Sequence, residues 1–567
     1  MQDSSKNVAR RLGWMAQQLP GAVAVVETLR HNRQGKRMYR QVTFRELEAD
    51  SNRIAQGLQQ LGAKPGTRLA LLVRPGIDFV SLVFALFKAG TVPILIDPGM
   101  GRQNLIGCLA EAEPEGFVAI PMVHAVRAML RRKFPKARLN VTVGRRWFWG
   151  GTTLAELRKA ASGANSDDSK SAAERWQPVA SAADDPAAII FTTGSTGVPK
   201  GVLYSHGNFD AQVEQIRDFY GIQPGEIDMP CFPLFGLFNC AMGVTAVIPD
   251  MDPSRPAQVD PRNILEAARD WNVTQAFGSP AIWNRVGRYC ELNRLRIPTI
   301  RRVLSAGAPI PAAVLRRTKA CIHEEGEVHT PYGATESLPV ASNSASEVLG
   351  ETVEQTRQGG GVCVGRRFPE ICWKVIRIDE GPIASIDQIE ELPRGAIGEL
   401  IVTGPQVTRQ YVTRKEANAL AKIVDGEKIW HRIGDAGYLD ERDRFWFCGR
   451  VAHRVLTPTG PMYPVCCEAI FNLHPNVRRT ALVGVGAVGQ QWPVMIVEPH
   501  EGLMPGSSLQ RESFVGDLRQ MGAGNPVTAG IETFLFHPNF PVDIRHNAKI
   551  FREKLAVWAA EQLGKAG

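Results

Sequence analysis

One run of residues constrains this chain more than any other feature. The run Phe191–Val202 reads FTTGSTGVPKGV and directly follows the apolar tetrad Ala187–Ile190. An apolar strand therefore ends in a loop of glycine and hydroxyl residues that closes on a lysine. Glycines let backbone N–H groups approach an anion closely, while hydroxyls add donors and lysine adds positive charge. The pattern predicts a phosphate-binding loop made of Thr192, Thr193, Gly194, Ser195, Thr196, Gly197 and Lys200.

The spacing within this run distinguishes it from the Walker loop, because G-x-x-x-x-G-K-[ST] cannot be aligned on Gly194 and Gly197. The run instead resembles the T-S-G-T-T-G-x-P-K-G signature of the adenylate-forming superfamily. That superfamily includes acyl-CoA synthetases, luciferases and the adenylation domains of peptide synthetases. The resemblance implies that the chain uses ATP together with Mg²⁺. The alternative is a Gly/Thr-rich surface turn without a function.

Composition is that of an ordinary globular protein. The 567 residues are 44% hydrophobic and 22% charged, which fits a soluble chain of about two to four domains. The net charge of +9 fits an anionic ligand but does not prove one. Part of this charge lies at Arg131–Lys133 and Arg145–Arg146, close to Trp147 and Trp149. Because no nucleic-acid-binding motif accompanies the cluster, we interpret it as a solvated, partly stacked surface.

Cysteine usage and hydropathy predict the cellular location. The ten cysteines lack metal-ligand spacing, and the adjacent pair Cys466-Cys467 cannot form a C-x-x-C site. Cysteines of this kind are typical of the reducing cytoplasm. No signal-peptide core follows the basic residues near the start. The longest apolar stretch, about Phe79–Phe87, is too short to span a bilayer. We therefore expect a cytoplasmic protein with no transmembrane segment and no nucleic-acid partner.

Hydrophobic patterning indicates the fold class. Thr43 and Glu46 form the sequence pattern of a capping box, which predicts a helix start. A buried strand at Arg68–Val73, a helix at Asp78–Ala89 and a second strand at Thr91–Ile96 follow. Strands and helices that alternate at this spacing form a parallel sheet with helices on its faces.

The remaining chain divides by its pattern. A second strand–helix series covers about 187–345, after a polar stretch at 161–186 that we interpret as a flexible connection. Short strands with turns follow at about 360–447. We expect an α/β fold with a large N-terminal domain, 1–449, built of parallel α/β subdomains and a small β-barrel-like unit. A small, mobile C-terminal α+β domain is expected at 450–567.

Two further motifs extend the resemblance. Residues 305–309, SAGAP, follow an apolar strand and resemble the family segment that lines the adenine, which implies nucleotide contacts by Gly307, Ala308 and Pro309. A plain strand-to-loop turn is the alternative. Residues 332–336, YGATE, resemble the Y-G-x-T-E motif. This implies that Tyr332 and Gly333 contact the adenine, Thr335 contacts the α-phosphate and Glu336 coordinates Mg²⁺. A hard cation prefers such carboxylate oxygens.

A third motif carries an aspartate and an arginine. In residues 430–435, WHRIGD, the resemblance implies that Asp435 accepts both ribose hydroxyls and that Arg450 assists it. A carboxylate suits this task because it accepts two hydrogen bonds at once. The alternative is a surface aspartate in a β-turn.

The stretch 541–555 resembles the C-terminal P-R-T-x-x-G-K-I-x-R motif, which makes Lys549 the adenylation lysine. Its ammonium would neutralise charge that develops on the carboxylate and α-phosphate as pyrophosphate leaves. Electrostatic groups of this kind are worth roughly 3–4 kcal/mol. The alternative is a solvated lysine at the basic start of a helix. The catalytic set implied by the resemblance is therefore Lys549, Glu336 and Thr335, with the metal at Glu336.

The chain departs from the family pattern at several positions. Ala548 replaces the usual glycine, and Val451–Arg454 stands where the family has an acidic hinge residue. The following loop, Thr457–Pro464, carries three prolines. In CoA ligases this hinge rotates the C-terminal domain to complete a pantetheine tunnel, so the second step is expected to differ. In Phe232–Phe238, Gly236 takes the place of a histidine, which predicts an apolar and open pocket wall suited to a long aliphatic acid.

Several stretches resemble one branch of the superfamily, the β-lactone synthetases of bacterial long-chain olefin biosynthesis. They are VTVGRRWFWGGTTL, AVIPDMDPSRPAQVDP, TPYGATESLPVA and FPVDIRHNAKIFREKLAVWA. This implies a 2-alkyl-3-hydroxy fatty acid whose own 3-hydroxyl attacks the acyl-adenylate, closing a β-lactone and releasing AMP. Well-oriented intramolecular groups reach effective molarities of roughly 10⁵–10⁸ M. The resemblance alone implies an assembly with other olefin-pathway enzymes.

Two alternatives remain. One is a medium- or long-chain fatty acyl-CoA or acyl-AMP ligase, which shares the first half-reaction. The other is a degenerate adenylate-binding protein, which is disfavoured by the presence of Thr193, Glu336, Asp435, Arg450 and Lys549. Residue type alone suggests three acceptors for the hydroxyl proton, namely His206, His453 and His546.

Overall fold

The computed structural model describes residues 5–160, 176–192, 198–232, 234–542 and 550–566. In these residues the strands form a 14-stranded sheet, a seven-stranded sheet, a three-stranded sheet and a two-stranded hairpin. Helices cover the sheets, which confirms the α/β class.

The chain begins with a helix, Arg10–Gln18, and an antiparallel pair, β1 (Val23–His31) and β2 (Arg37–Thr43). The predicted capping box then starts the helix Phe44–Gln60, because Thr43 Oγ1 accepts from the backbone N–H of Glu46 and the Glu46 carboxylate accepts from that of Thr43. Such reciprocal bonds satisfy two donors that a helix start otherwise leaves unpaired.

The seven-stranded sheet contains the predicted strand–helix–strand series. Its order is β7-β6-β5-β3-β4-β8-β9, and every pair except β8–β9 is parallel. Its strands are β3 (Arg68–Leu72), β4 (Val92–Leu95), β5 (Gly116–Ala119), β6 (Leu139–Thr142), β7 (Thr152–Thr153), β8 (Pro186–Phe191) and β9 (Gly201–Ser205). Four helices accompany it, Ile77–Lys88, Arg102–Glu111, Pro121–Met129 and Leu154–Ala160.

The 14-stranded sheet has a parallel part that ends in the antiparallel pair β1–β2, and the rest of the sheet is antiparallel. Its path is β17-β18-β20-β21-β16-β15-β14-β13-β12-β10-β11-β1-β2, and β19 pairs with β20. The parallel part includes β10 (Ile227–Pro230), β11 (Thr245–Ile248), β12 (Gln275–Gly278), β13 (Arg302–Ser305) and β14 (Glu327–Ala334). Helices His206–Tyr220, Phe235–Met242, Pro261–Asp270, Pro280–Asn293 and Ala312–Cys321 connect or cover these strands.

The antiparallel part contains the stretch predicted as β-rich, about 360–447, and it joins the parallel part through β15. Its strands are β15 (Ser337–Ser344), β16 (Val362–Arg367), β17 (Cys372–Ile376), β18 (Gly398–Thr403), β19 (Lys422–Asp425), β20 (Lys428–Leu439) and β21 (Arg444–Arg450). Short helices interrupt it at Ala345–Glu347, Val353–Arg357 and Ala417–Ala421.

The last part of the chain has the predicted α+β composition. It starts with a hairpin of β22 (Val455–Thr457) and β23 (Gly460–Met462) and continues with β24 (Val477–Val485), β25 (Trp492–Pro499) and β26 (Thr533–Phe536). The helices are Pro464–Phe471, Ser508–Ala523 and Arg552–Ala566. Phe471, Leu482, Met495 and Phe534 belong to a buried cluster of this part alone.

Three sequence predictions concern the polar connection, the cysteines and membrane-spanning segments. Of the connection predicted at 161–186, residues 161–175 lie outside the described residues, and β8 begins at Pro186. All ten cysteines are free thiols in the structure, and nine of them are buried. Among the described residues, every helix is too short or too polar to traverse a membrane.

A backbone seam joins the two large sheets. The N–H of Leu203 in β9 donates to Gln410 O at 3.1 Å, and the N–H of Val412 donates to Gly201 O at 2.9 Å. The N–H of Gly201 also donates to Thr413 Oγ1 at 2.7 Å. This seam holds β9 against residues 410–413, which connect β18 to β19 of the 14-stranded sheet.

Candidate active site

The two ends of the glycine-rich run close on each other at the carboxyl end of β8. The Thr192 N–H donates to Lys200 O at 3.0 Å, and the Lys200 N–H donates to Thr192 Oγ1 at 3.0 Å. The Lys200 ammonium lies 5.0 Å from the centre of the Tyr411 ring. Five predicted loop residues lie outside the described residues, namely Thr193, Gly194, Ser195, Thr196 and Gly197.

Three residues predicted from two motifs form a hydrogen-bonded group in the 14-stranded sheet. Asp435 and Arg450 are direct cross-strand partners in β20 and β21, and the Arg450 guanidinium donates to Asp435 Oδ1 at 2.7 Å. The Tyr332 hydroxyl, at the end of β14, donates to Asp435 Oδ2 at 2.5 Å. Burial and the Asp435 charge raise the pKa of Tyr332 well above its usual value. The charge of Asp435 also raises the pKa of Arg450.

The glycines predicted to contact nucleotide occupy positions that a side chain would disturb. A Cβ on Gly333 would stand 2.6 Å from Ser337 O, and Gly307 has φ near +100°. Ala308 is half-buried and Pro309 exposed after β13. At the end of that strand, Ser305 Oγ is buried without a hydrogen-bond partner among the described residues.

Glu336 lies in the turn between β14 and β15, where the sequence places the metal ligand. Its Oε1 accepts from the Tyr411 hydroxyl at 2.5 Å, and its Oε2 is 4.0 Å from His431 Nε2. The described residues contain no group of three or more His, Cys, Asp or Glu side chains that could hold a metal. A single carboxylate nevertheless fits Mg²⁺, which usually binds one or two carboxylates and completes its shell with water and substrate phosphates. The neighbouring Thr335 O accepts from the Tyr204 hydroxyl.

A buried lysine completes the site behind Glu336. Lys422 donates to Thr408 O at 2.5 Å, and burial lowers the pKa of its ammonium to about 7 although the Glu336 charge opposes the shift. Burial, followed by the charge of Lys422, lowers the pKa of His431 well below its usual value. The site therefore contains an acidic group at Glu336 and cations around it, an arrangement that suits a polyanion with a bound cation.

Comparison with known proteins identifies the family. The sequence profile of the AMP-binding enzymes matches residues 12–412. The chain belongs to the AMP-binding enzyme family. Within this family it is 45% identical over 566 residues to the olefin beta-lactone synthetase of Xanthomonas campestris pv. campestris, covering 98% of each chain. It is 44% identical over 568 residues to the olefin beta-lactone synthetase of Stenotrophomonas maltophilia, covering 99% of each.

Two solved structures share the fold. The amide bond synthetase McbA of Marinactinospora thermotolerans superimposes with a TM-score of 0.77 at 21% identity, covering 98% of this chain and 99% of the other. The o-succinylbenzoate coenzyme A synthetase MenE of Bacillus subtilis, in complex with ATP and a magnesium ion, gives a TM-score of 0.72 at 20% identity, covering 96% and 98%. At these identities the similarity shows the fold alone, and it agrees with the predicted large N-terminal and small C-terminal parts.

Sequence reasoning missed several residues of the candidate site. Tyr411 and Lys422 contact Glu336 and Thr408, yet no motif marked them. The sequence did carry a signal for Lys422. It begins the strand β19, and a buried lysine in such a strand needs a hydrogen-bond or charged partner. His431 stood inside the quoted WHRIGD stretch, but its position beside Glu336 depends on the pairing of distant strands.

Two of the three histidines expected as proton acceptors lie within the described residues. His206 is buried and accepts from the Val8 N–H at 3.3 Å, and burial lowers its pKa to about 4. His453 lies 3.0 Å from Glu553, and His546 lies outside the described residues. Burial lowers the pKa of His453, and the charge of Arg450 acts in the same direction. The role of these histidines as proton acceptors stays a prediction.

The apolar wall around Gly236 differs in detail from the sequence expectation. Gly236 is buried in the helix Phe235–Met242, and a Cβ there would face Pro230 at 3.6 Å instead of opening a pocket. The apolar character is nevertheless present, because the Phe235 ring stacks on Phe277 with centroids 3.5 Å apart.

Proposed function

We propose that this chain is an ATP-dependent, AMP-forming ligase that converts a long-chain 2-alkyl-3-hydroxy fatty acid into a β-lactone, AMP and pyrophosphate. The observation that carries the proposal is 45% identity over 98% of both chains to an olefin beta-lactone synthetase. The similarity covers the whole chain, so it includes the parts that distinguish one acyl acceptor from another.

The first half-reaction is adenylation. A carboxylate oxygen of the substrate bonds to the α-phosphorus of ATP as the bond to pyrophosphate breaks. Asp435 is proposed to bind the ribose hydroxyls, since Tyr332 and Arg450 use one hydrogen bond on each of its oxygens and a carboxylate offers about four acceptor sites. Ser305 Oγ and Arg450 Nε are buried polar atoms without partners among the described residues, and a bound nucleotide would satisfy them.

Mg²⁺ would be held by Glu336 Oε2 and the substrate phosphates, where it supplies Lewis-acid screening of the triphosphate charge. Glu336 is kept in position by the Tyr411 hydroxyl. Lys200 follows the phosphate-binding loop, and we propose that it contacts the phosphates together with Thr192, Thr193, Gly194, Ser195, Thr196 and Gly197. Gly307, Ala308, Pro309 and Gly333 are proposed to contact the adenine, and Thr335 the α-phosphate.

The second half-reaction is an intramolecular acylation. The 3-hydroxyl oxygen attacks the acyl carbon, the bond from that carbon to AMP breaks, and the hydroxyl proton leaves to a base or to solvent. Ring strain opposes closure of a four-membered ring, so the acyl-adenylate has to supply the driving force. The proximity of the two groups within one molecule favours the step.

We further propose that residues 450–567 form a mobile domain that carries Lys549, while residues 1–449 form the nucleotide-binding domain. The large sheet ends at Arg450, and the separate core of the last part supports this division. Lys549 lies outside the described residues, and its role rests on the C-terminal motif. A cytoplasmic location is proposed from the ten free cysteines.

A product assay tests the reaction. Purified enzyme is incubated with Mg²⁺-ATP and a long-chain 2-alkyl-3-hydroxy acid, with and without CoA, and the products are identified by NMR. We expect a β-lactone and AMP in the absence of CoA. A thioester that forms only when CoA is present would instead make the chain a fatty acyl-CoA ligase. The absence of ATP-dependent pyrophosphate release would contradict both readings.

The role of Lys549 is tested separately. Lys549→Ala should lower the rate of adenylation by about 10²-fold or more, because charge that develops on the carboxylate and α-phosphate is no longer neutralised. ATP binding should persist, and binding is measured by calorimetry beside the rate of pyrophosphate release. Lys554→Ala is the matched control, because Lys554 is an exposed lysine in the helix Arg552–Ala566, close to the Phe551 ring. Equal activity of the two variants would show that the lysine is misassigned.

A further inference from the structure

A helix and a loop on one side of the seven-stranded sheet expose large apolar side chains. In the helix Pro121–Met129, Met122 and Met129 lie on one face and are 69% and 80% exposed. In the loop after β6, Trp147 and Phe148 are 63% and 75% exposed. Met122 and Trp147 line the same groove of about 680 Å³. Soluble proteins rarely expose such groups contiguously unless the surface binds something.

Trp149 fixes the loop against the helix. It is 9% exposed and stacks on His124 of the helix, with centroids 6.0 Å apart and ring planes 14° from parallel. Its indole N–H donates to Thr142 Oγ1 at 3.0 Å. The Trp147 and Phe148 rings lie 5.6 Å and 5.3 Å from it. The two exposed rings are therefore held outward by a packed anchor.

Cations flank these apolar side chains at both ends. The helix contains no acidic residue, its last turn is followed by three exposed basic residues, and two more precede the exposed aromatic pair. Together with the apolar residues they form what we call the basic–aromatic surface: Met122, Met129, Arg131, Arg132, Lys133, Arg145, Arg146, Trp147 and Phe148.

Neighbouring carboxylates do not neutralise this surface. Arg146 pairs with Glu156 at 3.3 Å, but the other four cations make no ion pair with any described residue. Three carboxylates of neighbouring elements have cationic partners of their own, which are Lys136 for Glu113, Arg40 for Glu27 and Arg158 for Asp78. The surface therefore keeps an excess of positive charge around an apolar centre.

We propose that the basic–aromatic surface docks on an anionic lipid bilayer. Indole, phenyl and thioether side chains enter the boundary between headgroups and acyl chains, and the surrounding cations contact lipid phosphates. Charge complementarity favours this occupant. The exposed cations lie on both sides of the protruding apolar side chains, and an anionic bilayer offers lipid phosphates to the cations and acyl chains to the apolar side chains. An acidic protein would neutralise the cations, but it would also need an apolar cavity in which to bury the exposed Trp147 and Phe148 rings.

The test measures binding of the full-length protein to vesicles by co-sedimentation. Vesicles of phosphatidylcholine alone are compared with vesicles that also contain phosphatidylglycerol, at low and high salt. We expect at least about tenfold tighter binding to the anionic vesicles, and we expect salt to weaken it by screening. Equal binding to both vesicle types, or binding to neither, overturns the proposal. In the second case a protein partner becomes the occupant to test.

Two variants with matched controls locate the contact. Trp147→Ser combined with Phe148→Ser removes the apolar centre, and Arg132→Glu combined with Arg145→Glu reverses part of the charge. Each should weaken binding to anionic vesicles about tenfold or more. The controls are Trp492→Ser, at a tryptophan that is 57% exposed on β25, and Arg30→Glu combined with Arg33→Glu at exposed arginines.

The controls should bind like the unmodified protein, and thermal unfolding should show that all four variants are folded. Retention of vesicle binding by the surface variants, or an equal loss in the controls, overturns the proposal. The outcome is independent of the ligase reaction, since vesicle binding is measured without ATP or acyl substrate.

Discussion

Two hydrogen bonds hold Asp435 in one orientation. Arg450 and Tyr332 hold one carboxylate oxygen each, at 2.7 Å and 2.5 Å, and the residue is buried. A carboxylate held on both oxygens has few rotamers left, so the proposed binding of the ribose hydroxyls would cost less conformational entropy. We infer that Tyr332 acts as a positioning residue as well as the proposed contact for adenine.

Replacement of Tyr332 by phenylalanine tests this positioning. The variant keeps the ring but loses the hydroxyl that donates to Asp435. Because a hydrogen bond to a charged group contributes about 1.5–3 kcal/mol, we expect the KM for ATP to rise about tenfold or more. The kcat should change little. Steady-state kinetics of pyrophosphate release measure both constants.

Tyr220→Phe is the matched control, because the buried Tyr220 hydroxyl donates to Ser342 Oγ at 2.9 Å. It should leave the KM for ATP unchanged. A loss of kcat at unchanged KM in Tyr332→Phe would mean that the hydroxyl acts on the reacting groups rather than on nucleotide binding.

At the scale of elements, the local sequence pattern predicted the positions of individual strands and helices closely. The strand predicted at Arg68–Val73 is β3, Arg68–Leu72, and the helix predicted at Asp78–Ala89 is Ile77–Lys88. Helix caps and apolar periodicity are properties of neighbouring residues, so the sequence carries them directly. The order of the strands in the sheet could not be predicted in this way. For example, β16 pairs not only with β15 but also with β21, which lies far from it in sequence. No local signal specifies such pairings.

The strand β10 contains a buried aspartate whose ionisation makes the free energy of unfolding of the protein depend on pH. Asp228 is buried, and its Oδ2 accepts from the Asn239 side-chain N–H at 2.5 Å. Burial raises the pKa of this carboxyl to about 7 from an ordinary value of 3.8. Between those values the folded chain holds a proton that the unfolded chain has lost. The free energy of unfolding contributed by this group therefore falls as pH rises from about 4 to about 7.

Asp228→Asn should remove that dependence. The amide keeps an oxygen for Asn239 and carries no charge, so the variant should be more stable than the parent above pH 7, by roughly 2–4 kcal/mol. The gain should shrink toward pH 4. Urea unfolding at a series of pH values measures it, with Asp184→Asn at an exposed position as the control. A gain that is equal at all pH values would contradict the assigned ionisation.

At the scale of the whole molecule, the candidate site depends on contacts that connect two sheets. Lys200 comes from the end of the seven-stranded sheet, whereas Glu336 and Asp435 belong to the 14-stranded sheet. The motifs identified these residues from sequence, because each motif is locally complete. Tyr411, which contacts Glu336 and Lys200, was not identified, since its position depends on the seam between β9 and residues 410–413. Such a residue is defined by tertiary structure alone.

This seam leads to a prediction about how nucleotide stabilises the protein. A ligand that contacts Lys200 and Asp435 together binds only when both sheets are in place, so it should oppose opening of either one. At a concentration of about 100 times its Kd, Mg²⁺-ATP should add about 2.7 kcal/mol to each such opening. Hydrogen exchange read by mass spectrometry should then slow in both β8–β9 and β20–β21. Peptides from β24 and β25 are the control and should slow less, because their core is separate. Protection confined to one sheet would show that the nucleotide does not bridge them.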